Sequence, residues 1–158
     1  MKRGTQDAKH QRSKTITLCS SASFYKELLV VEKELKKAGF RVLVPYTAKE
    51  MRRTGNFEVD SYKTWYNDPA TYKRKSFLMH HHFRKIVKSD AILVLNLAKH
   101  EQEGYIGGNV LMEMAVAFHL RKWIYLYREA SKKSNLYEEI MGMQPVCIEG
   151  NLSKIFIT

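Results

Sequence analysis

Cysteine is scarce in this chain: there are two, Cys19 and Cys147, among 158 residues. Both sit in apolar runs far apart in sequence, which excludes a disulfide framework and fits buried free thiols better than a bridge or a metal pair. A reducing compartment follows. Long apolar runs are missing as well. No stretch approaches the roughly 18 residues needed to cross a bilayer, and Met1 to Lys14 is polar and basic, without the apolar centre of a signal peptide. The expectation is a soluble, cytoplasmic protein with no membrane partner. Zinc-finger spacing, an RNA-binding signature and a basic leucine zipper are absent, and so are internal repeats and low-complexity segments.

Positive charge is what the chain has in excess, with a formal net charge of +11. Residues 1 to 14 carry Lys2, Arg3, Lys9, Arg12 and Lys14 against Asp7, and residues 49 to 88 hold ten lysines and arginines against four acids. That balance suits a phosphorylated substrate or a polyanion. A solvated surface with a disordered tail is the favoured account of it, so nucleic acid is admitted as a partner but not favoured. At 44% hydrophobic residues the chain can bury one core of ordinary size. The expected organisation is a basic disordered tail at 1–14 and one domain at 15–158.

Periodicity then divides the domain. Thr15 to Cys19 reads as a buried strand, and Ser20 to Ser23 as a polar turn. Phe24 to Ala38 has apolar residues at helical spacing and is stopped by Gly39. Arg41 to Pro45 gives a second strand, completing a unit long enough for a parallel crossover. Residues 46 to 75 lack sustained periodicity but hold Tyr62, Trp65, Tyr66 and Tyr72, which fits a functional loop or a lid with short helices. A helix from about Ser76 to Lys88 follows. Asp90 to Asn96 is apolar on both faces, as a central parallel strand is. A helix from about Asn109 to Leu120, a strand at Lys122 to Tyr127, a short helix at Leu136 to Met141 and a strand at Pro145 to Ile148 complete the pattern. It predicts an α/β fold: a doubly wound, mainly parallel five-stranded sheet with helices on both faces.

Such sheets bind ligands outside the carboxyl ends of their strands. Three segments fall there. Ser20, Ser21 and Ser23 offer hydroxyls and backbone N–H groups at a helix start, suited to an anion such as a 5′-phosphate, although serine caps helices without any ligand. Pro45 to Ala48 contributes Tyr46. The third segment runs from Asn96 to Glu113, where Gly107, Gly108 and Asn109 precede a helix and let the backbone approach a ligand. Glu113 interrupts that helix between Met112 and Met114, and a lone carboxylate on an apolar helix is costly unless paired or used. Asn96 and Asn109 are candidates for ribose or base contacts, with turn formation as the alternative. Asp90 reads as a hydrogen-bonding group at a strand start.

The runs Ser89 to Asn96, Leu111 to Phe118 and Lys122 to Leu126, with the Gly-rich loop between the first two, resemble the core of the nucleoside 2-deoxyribosyltransferase-like superfamily. The resemblance extends over most of residues 15 to 150. It implies a flavodoxin-like sheet, homodimers or higher homo-oligomers, no cofactor, and a nucleoside or nucleotide substrate. It also implies that Glu113 attacks C1′ of the sugar, expels the base and forms a glycosyl-enzyme. Transferases of that family carry aspartates where this chain has Gly107 and His82, which tilts the expected reaction toward hydrolysis. His82 then becomes the candidate general acid, its ordinary pKa being near neutrality; a surface position in the run His80 to His82 is the alternative. A metal site is not expected, because three consecutive histidines on a helix cannot face one ion and no Cys or carboxylate is helically spaced to them. The reading is an N-glycosidase or deoxyribosyltransferase, against two others: a non-catalytic nucleotide-binding module and a basic nucleic-acid-binding protein.

Overall fold

The computed structural model describes residues 13–158; nearly all of the expected basic tail lies outside the described residues. Five strands, β1 (Thr15–Cys19), β2 (Arg41–Leu43), β3 (Ala91–Val94), β4 (Trp123–Leu126) and β5 (Val146–Cys147), form one sheet in the order β2-β1-β3-β4-β5. Every pairing is parallel. This is the flavodoxin-like order, and each expected strand is present.

Alternation along β1 and β3 sorts side chains to opposite faces. Ile16, Leu18 and Leu93 pack with Leu28, Val31 and Leu35 of α1 (Tyr25–Lys37). Cys19, Ile92 and Val94 face the other layer, where Ile86 of α3 (Tyr72–Val87) meets Val110, Met114 and Ala117 of α4 (Gly108–His119) and Ile140 of α5 (Tyr137–Gly142). Helices thus cover both faces. The carboxyl terminus joins the α1 layer: Ile155 is buried there, and the Tyr125 hydroxyl donates to the Phe156 carbonyl while accepting from its N–H.

The segment between β2 and α3 is more regular than its sequence suggested. It contains α2 (Tyr46–Thr54) and three 3-10 turns at Val59–Ser61, Thr64–Tyr66 and Pro69–Thr71. Two apolar residues, Ala48 and Met51, hold α2 down, and Gly55 closes it in the left-handed conformation at φ 73°. Helix α3 begins four residues earlier than Ser76. The Asp68 carboxylate accepts from the Ala70 N–H and Pro69 follows it, a helix-entry signal that winds the last turn directly into α3.

Helix α1 carries one buried acid. Glu32 is 4% exposed and accepts from Lys36 Nζ at 2.7 Å and from Arg52 of α2 at 2.5 Å, joining the two helices. Burial alone raises its pKa, but the hydrogen bonds and charges of Lys36 and Arg52 outweigh it and hold the carboxyl below its usual value. A depressed folded pKa contributes stability above the unfolded value of about 4.3, and loses it as pH falls through the folded one. Glu32→Gln is therefore expected to lower stability at pH 7 by about 1–3 kcal/mol, with the difference in urea-unfolding free energy shrinking below pH ~4. An undiminished difference at pH 3 would remove the charge from this account.

Candidate active site

Strands β1 and β3 are neighbours, yet the chain leaves β1 for one face of the sheet and β3 for the other. A crevice opens at their carboxyl ends, and two adjoining concavities occupy it. The first is lined by Tyr46, Trp65, Leu78, Met79, His82 and Glu113, among others. The second is lined by Ser20, Ser21, Gly107, Gly108 and three lysines, Lys63, Lys75 and Lys99. Tyr25, Lys63, Lys75 and Asn109 border both. No carboxylate lines the second concavity, so its potential is positive.

Glu113 is 5% exposed and sits in the second turn of α4. Its Oε1 accepts from Asn109 Nδ2 at 2.7 Å, one helical turn back, and Asn109 Oδ1 in turn accepts from Lys75 Nζ at 2.7 Å. The other oxygen, Oε2, has no hydrogen-bond partner among the described residues. His82 Nε2 stands 3.8 Å from it and 3.5 Å from Cys19 Sγ. Burial raises the Glu113 pKa to about 8, against the opposing pull of the Cys19 thiol, the Lys75 charge and the Asn109 amide. His82 moves the other way, to about 3, because burial disfavours the imidazolium and Lys85 and His81 add to the effect. The pair therefore holds one proton at neutral pH, on Glu113. Burial, then the Glu113 charge, also holds the Cys19 thiol protonated.

Of the residues singled out in the sequence, the fold brings together Glu113, His82, Asn109, Gly107, Gly108, Ser20, Ser21 and Tyr46. His82 is buried, with His80 exposed and His81 half-buried beside it, so the surface alternative fails at this one position. Tyr46 packs edge-on against Phe77 and His81 at the wall of the first concavity. Ser21 Oγ accepts from Lys99 Nζ at 3.0 Å, tying the turn after β1 to the lysine cluster. Two residues fall elsewhere. Ser23 is exposed on the 3-10 turn Ala22–Phe24 and lines neither concavity. Asn96 is fully buried; its amide donates to the Arg128 carbonyl and accepts from the Arg128 N–H, both at 2.8 Å, which locks β3 to the end of β4. Its side chain lines neither concavity.

Gly107 and Gly108 both line the second concavity, and the strained backbone lies elsewhere in the loop. Gly107 is extended at φ −91° and Gly108 has open space where a Cβ would stand, so neither needs to be glycine for its backbone. Gly104 does: its φ is +68°, and a Cβ would lie 1.9 Å from the Glu129 carbonyl oxygen. Lysines 63, 75 and 99 and Tyr25 escaped the sequence reading. A signal existed for one of them, since Lys75, Leu78, Met79, His82 and Ile86 follow the spacing of a single face of α3. Lys63 and Lys99 lie in irregular segments that carry no such period.

No family model matches this chain, and no curated protein matches it. Among the described residues, no helix is long and apolar enough to cross a membrane.

Replacing the Asn96 amide separates its two readings. Asn96→Ala is expected to cost about 2–3 kcal/mol in denaturant unfolding, because two buried backbone groups of Arg128 lose their partners. Affinity for a ligand of the crevice should stay within about twofold; a tenfold loss with little destabilisation would restore Asn96 as a contact.

Proposed function

We propose that the protein is an N-glycosidase of the nucleoside 2-deoxyribosyltransferase-like superfamily, acting on a nucleotide through Glu113. The observation that carries the reading is the Glu113 carboxyl itself: buried, fixed by Asn109 through one oxygen, its other oxygen without a hydrogen-bond partner among the described residues, on a residue that lines a cavity bordered by Lys63 and Lys75. The base lies in the first concavity against Trp65 and Tyr46. A 5′-phosphate lies in the second, among Lys63, Lys99 and the Ser20–Ser21 turn, which leaves the sugar C1′ between them.

The single proton of the pair sets how the step would run. As the C1′–N bond stretches and the sugar becomes oxocarbenium-like, Glu113 passes its proton to His82 Nε2 and its carboxylate bonds to C1′. His82 delivers that proton to the departing base nitrogen, and so takes the role of the missing aspartate. Water then attacks C1′ of the glycosyl-enzyme, its hydroxyl stays on the sugar, and its proton returns to the Glu113–His82 pair. Charge created on the carboxylate is matched by charge developing on the sugar, so the buried site never holds an uncompensated ion. A cytoplasmic setting belongs to the same reading, since both cysteines are free thiols. So does a homo-oligomer, supported by the exposed apolar side chains Met112 and Phe118 on the outer side of α4.

Chromatography of free base after incubation with deoxynucleosides, ribonucleosides and their 5′-monophosphates is the direct test. A monophosphate is expected to be the best substrate, and Glu113→Gln to lower kcat on the order of 10³-fold or more. Lys99→Ala should raise KM about tenfold for the monophosphate, ~1.4 kcal/mol, and leave the nucleoside unaffected. No base released from any member of the panel would leave a nucleotide-binding module; equal release by Glu113→Gln would end the nucleophile assignment. Sedimentation velocity at micromolar concentration should give at least two chains per particle, and a monomer would remove the oligomer from the proposal.

A further inference from the structure

Three side chains from three separate elements converge under the first concavity: Cys19 at the end of β1, His82 on α3 and Glu113 on α4. Each is buried, and one ligand atom from each lies within 4.8 Å of the others. Their separations suit a metal. Tetrahedral zinc with Zn–S of about 2.3 Å, Zn–N of about 2.05 Å and Zn–O of about 2.1 Å sets sulfur and nitrogen about 3.6 Å apart and nitrogen and oxygen about 3.4 Å apart. The observed distances are 3.5 Å from Cys19 Sγ to His82 Nε2 and 3.8 Å from His82 Nε2 to Glu113 Oε2. Both of these pairs lie within a few tenths of an ångström of those values, and the third, Cys19 Sγ to Glu113, is within 4.8 Å.

A second, independent observation points to a ligand at the same place. Glu113 Oε2 is a buried polar atom with no hydrogen-bond partner among the described residues, and it is the carboxylate oxygen on the His82 side. Such atoms are uncommon in folded proteins and call for an occupant. Charge is satisfied too, since one thiolate and one carboxylate neutralise a divalent cation, and a neutral cluster is the form that a low-dielectric site tolerates. His82 and Glu113 line the cavity while Cys19 lies fully buried behind them, so the first concavity is the adjoining space from which a fourth ligand would come.

The geometry points to a Cys19–His82–Glu113 site for a thiophilic divalent metal, zinc being the cation that this donor set fits, with one position open to the pocket. Binding releases the thiol proton and the carboxyl proton to solvent. The ion takes the Glu113 oxygen that attacks C1′ and the His82 nitrogen that carries the proton, so metal and glycoside cleavage exclude one another. That inhibition, unlike the binding, rests on the nucleophile reading above.

Cobalt(II), titrated into the reduced full chain with no nucleotide present, tests the site directly. One equivalent is expected to bind with a thiolate-to-metal charge-transfer band and visible bands of tetrahedral strength. Cys19→Ser should abolish the charge-transfer band, and Glu113→Gln should weaken binding at least about tenfold; His80→Ala should change neither. X-ray absorption of the zinc-loaded wild-type protein, which needs no variant, should show one sulfur and three nitrogen or oxygen neighbours. A shell without sulfur, no thiolate band at stoichiometric metal, or full affinity in Cys19→Ser would each overturn the site. Base release, where it is observed, should fall with one equivalent of zinc and recover with chelator. Metal binding without base release under any condition would count against the glycosidase alone, and base release without metal binding against the metal site alone.

Discussion

A carboxyl group removed from water has three ways to persist: it finds a cation, it keeps its proton, or a ligand completes it. Glu113 combines the second with a partial form of the first. Asn109 holds one oxygen and passes on the pull of Lys75, while the other oxygen stays bare beside a neutral histidine. The arrangement around it follows from that constraint. The pair holds one proton because neither member can charge alone, and Lys75 stays a residue away behind Asn109, half-buried, so that burial already lowers its pKa. The result is a site with a stored proton at one end and a positive field at the other.

What lets a helix deliver a carboxyl there is the point where the strand order reverses. At the gap between β1 and β3 no helix crosses the strand ends, so α1 approaches from one face and α3 and α4 from the other. Residues at the starts of α1 and α4 and on one face of α3 then meet over the same crevice. The segment from α2 to the third 3-10 turn forms the remaining wall, with Trp65 buried and Tyr66 67% exposed. Its helices are too short to show a period in the sequence, and tertiary contacts of Ala48, Met51 and Trp65 fix it instead.

Glu32 offers an instructive contrast. Its side chain is as covered from solvent as that of Glu113 and also lies on a helix, yet it sits less deep and two cations reach it, so its pKa falls rather than rises. Burial of an acid therefore does not by itself mark a site. The difference lies in whether the surrounding elements supply partners, and at Glu113 they supply a cavity.

Strand and helix identity, the parallel sheet and the carboxyl-end location of the site were legible in the sequence, because period-2 and period-3.6 patterns act over a few neighbouring residues. Glu113 stood out for the same reason, as a charge inside an apolar helix face. The surroundings of Glu113 were legible in part. His82 was named through the resemblance and Asn109 as a ligand contact, but Cys19 and Lys75, 94 and 38 residues away, were not, and Asn96, placed at a strand end like a ligand contact, became a clamp on Arg128. The sequence by itself determined which elements form and which carboxyl must be accommodated. Only the tertiary structure decided what surrounds that carboxyl, since hydrogen bonds and metal geometry act across space between side chains whose separation along the chain carries no period.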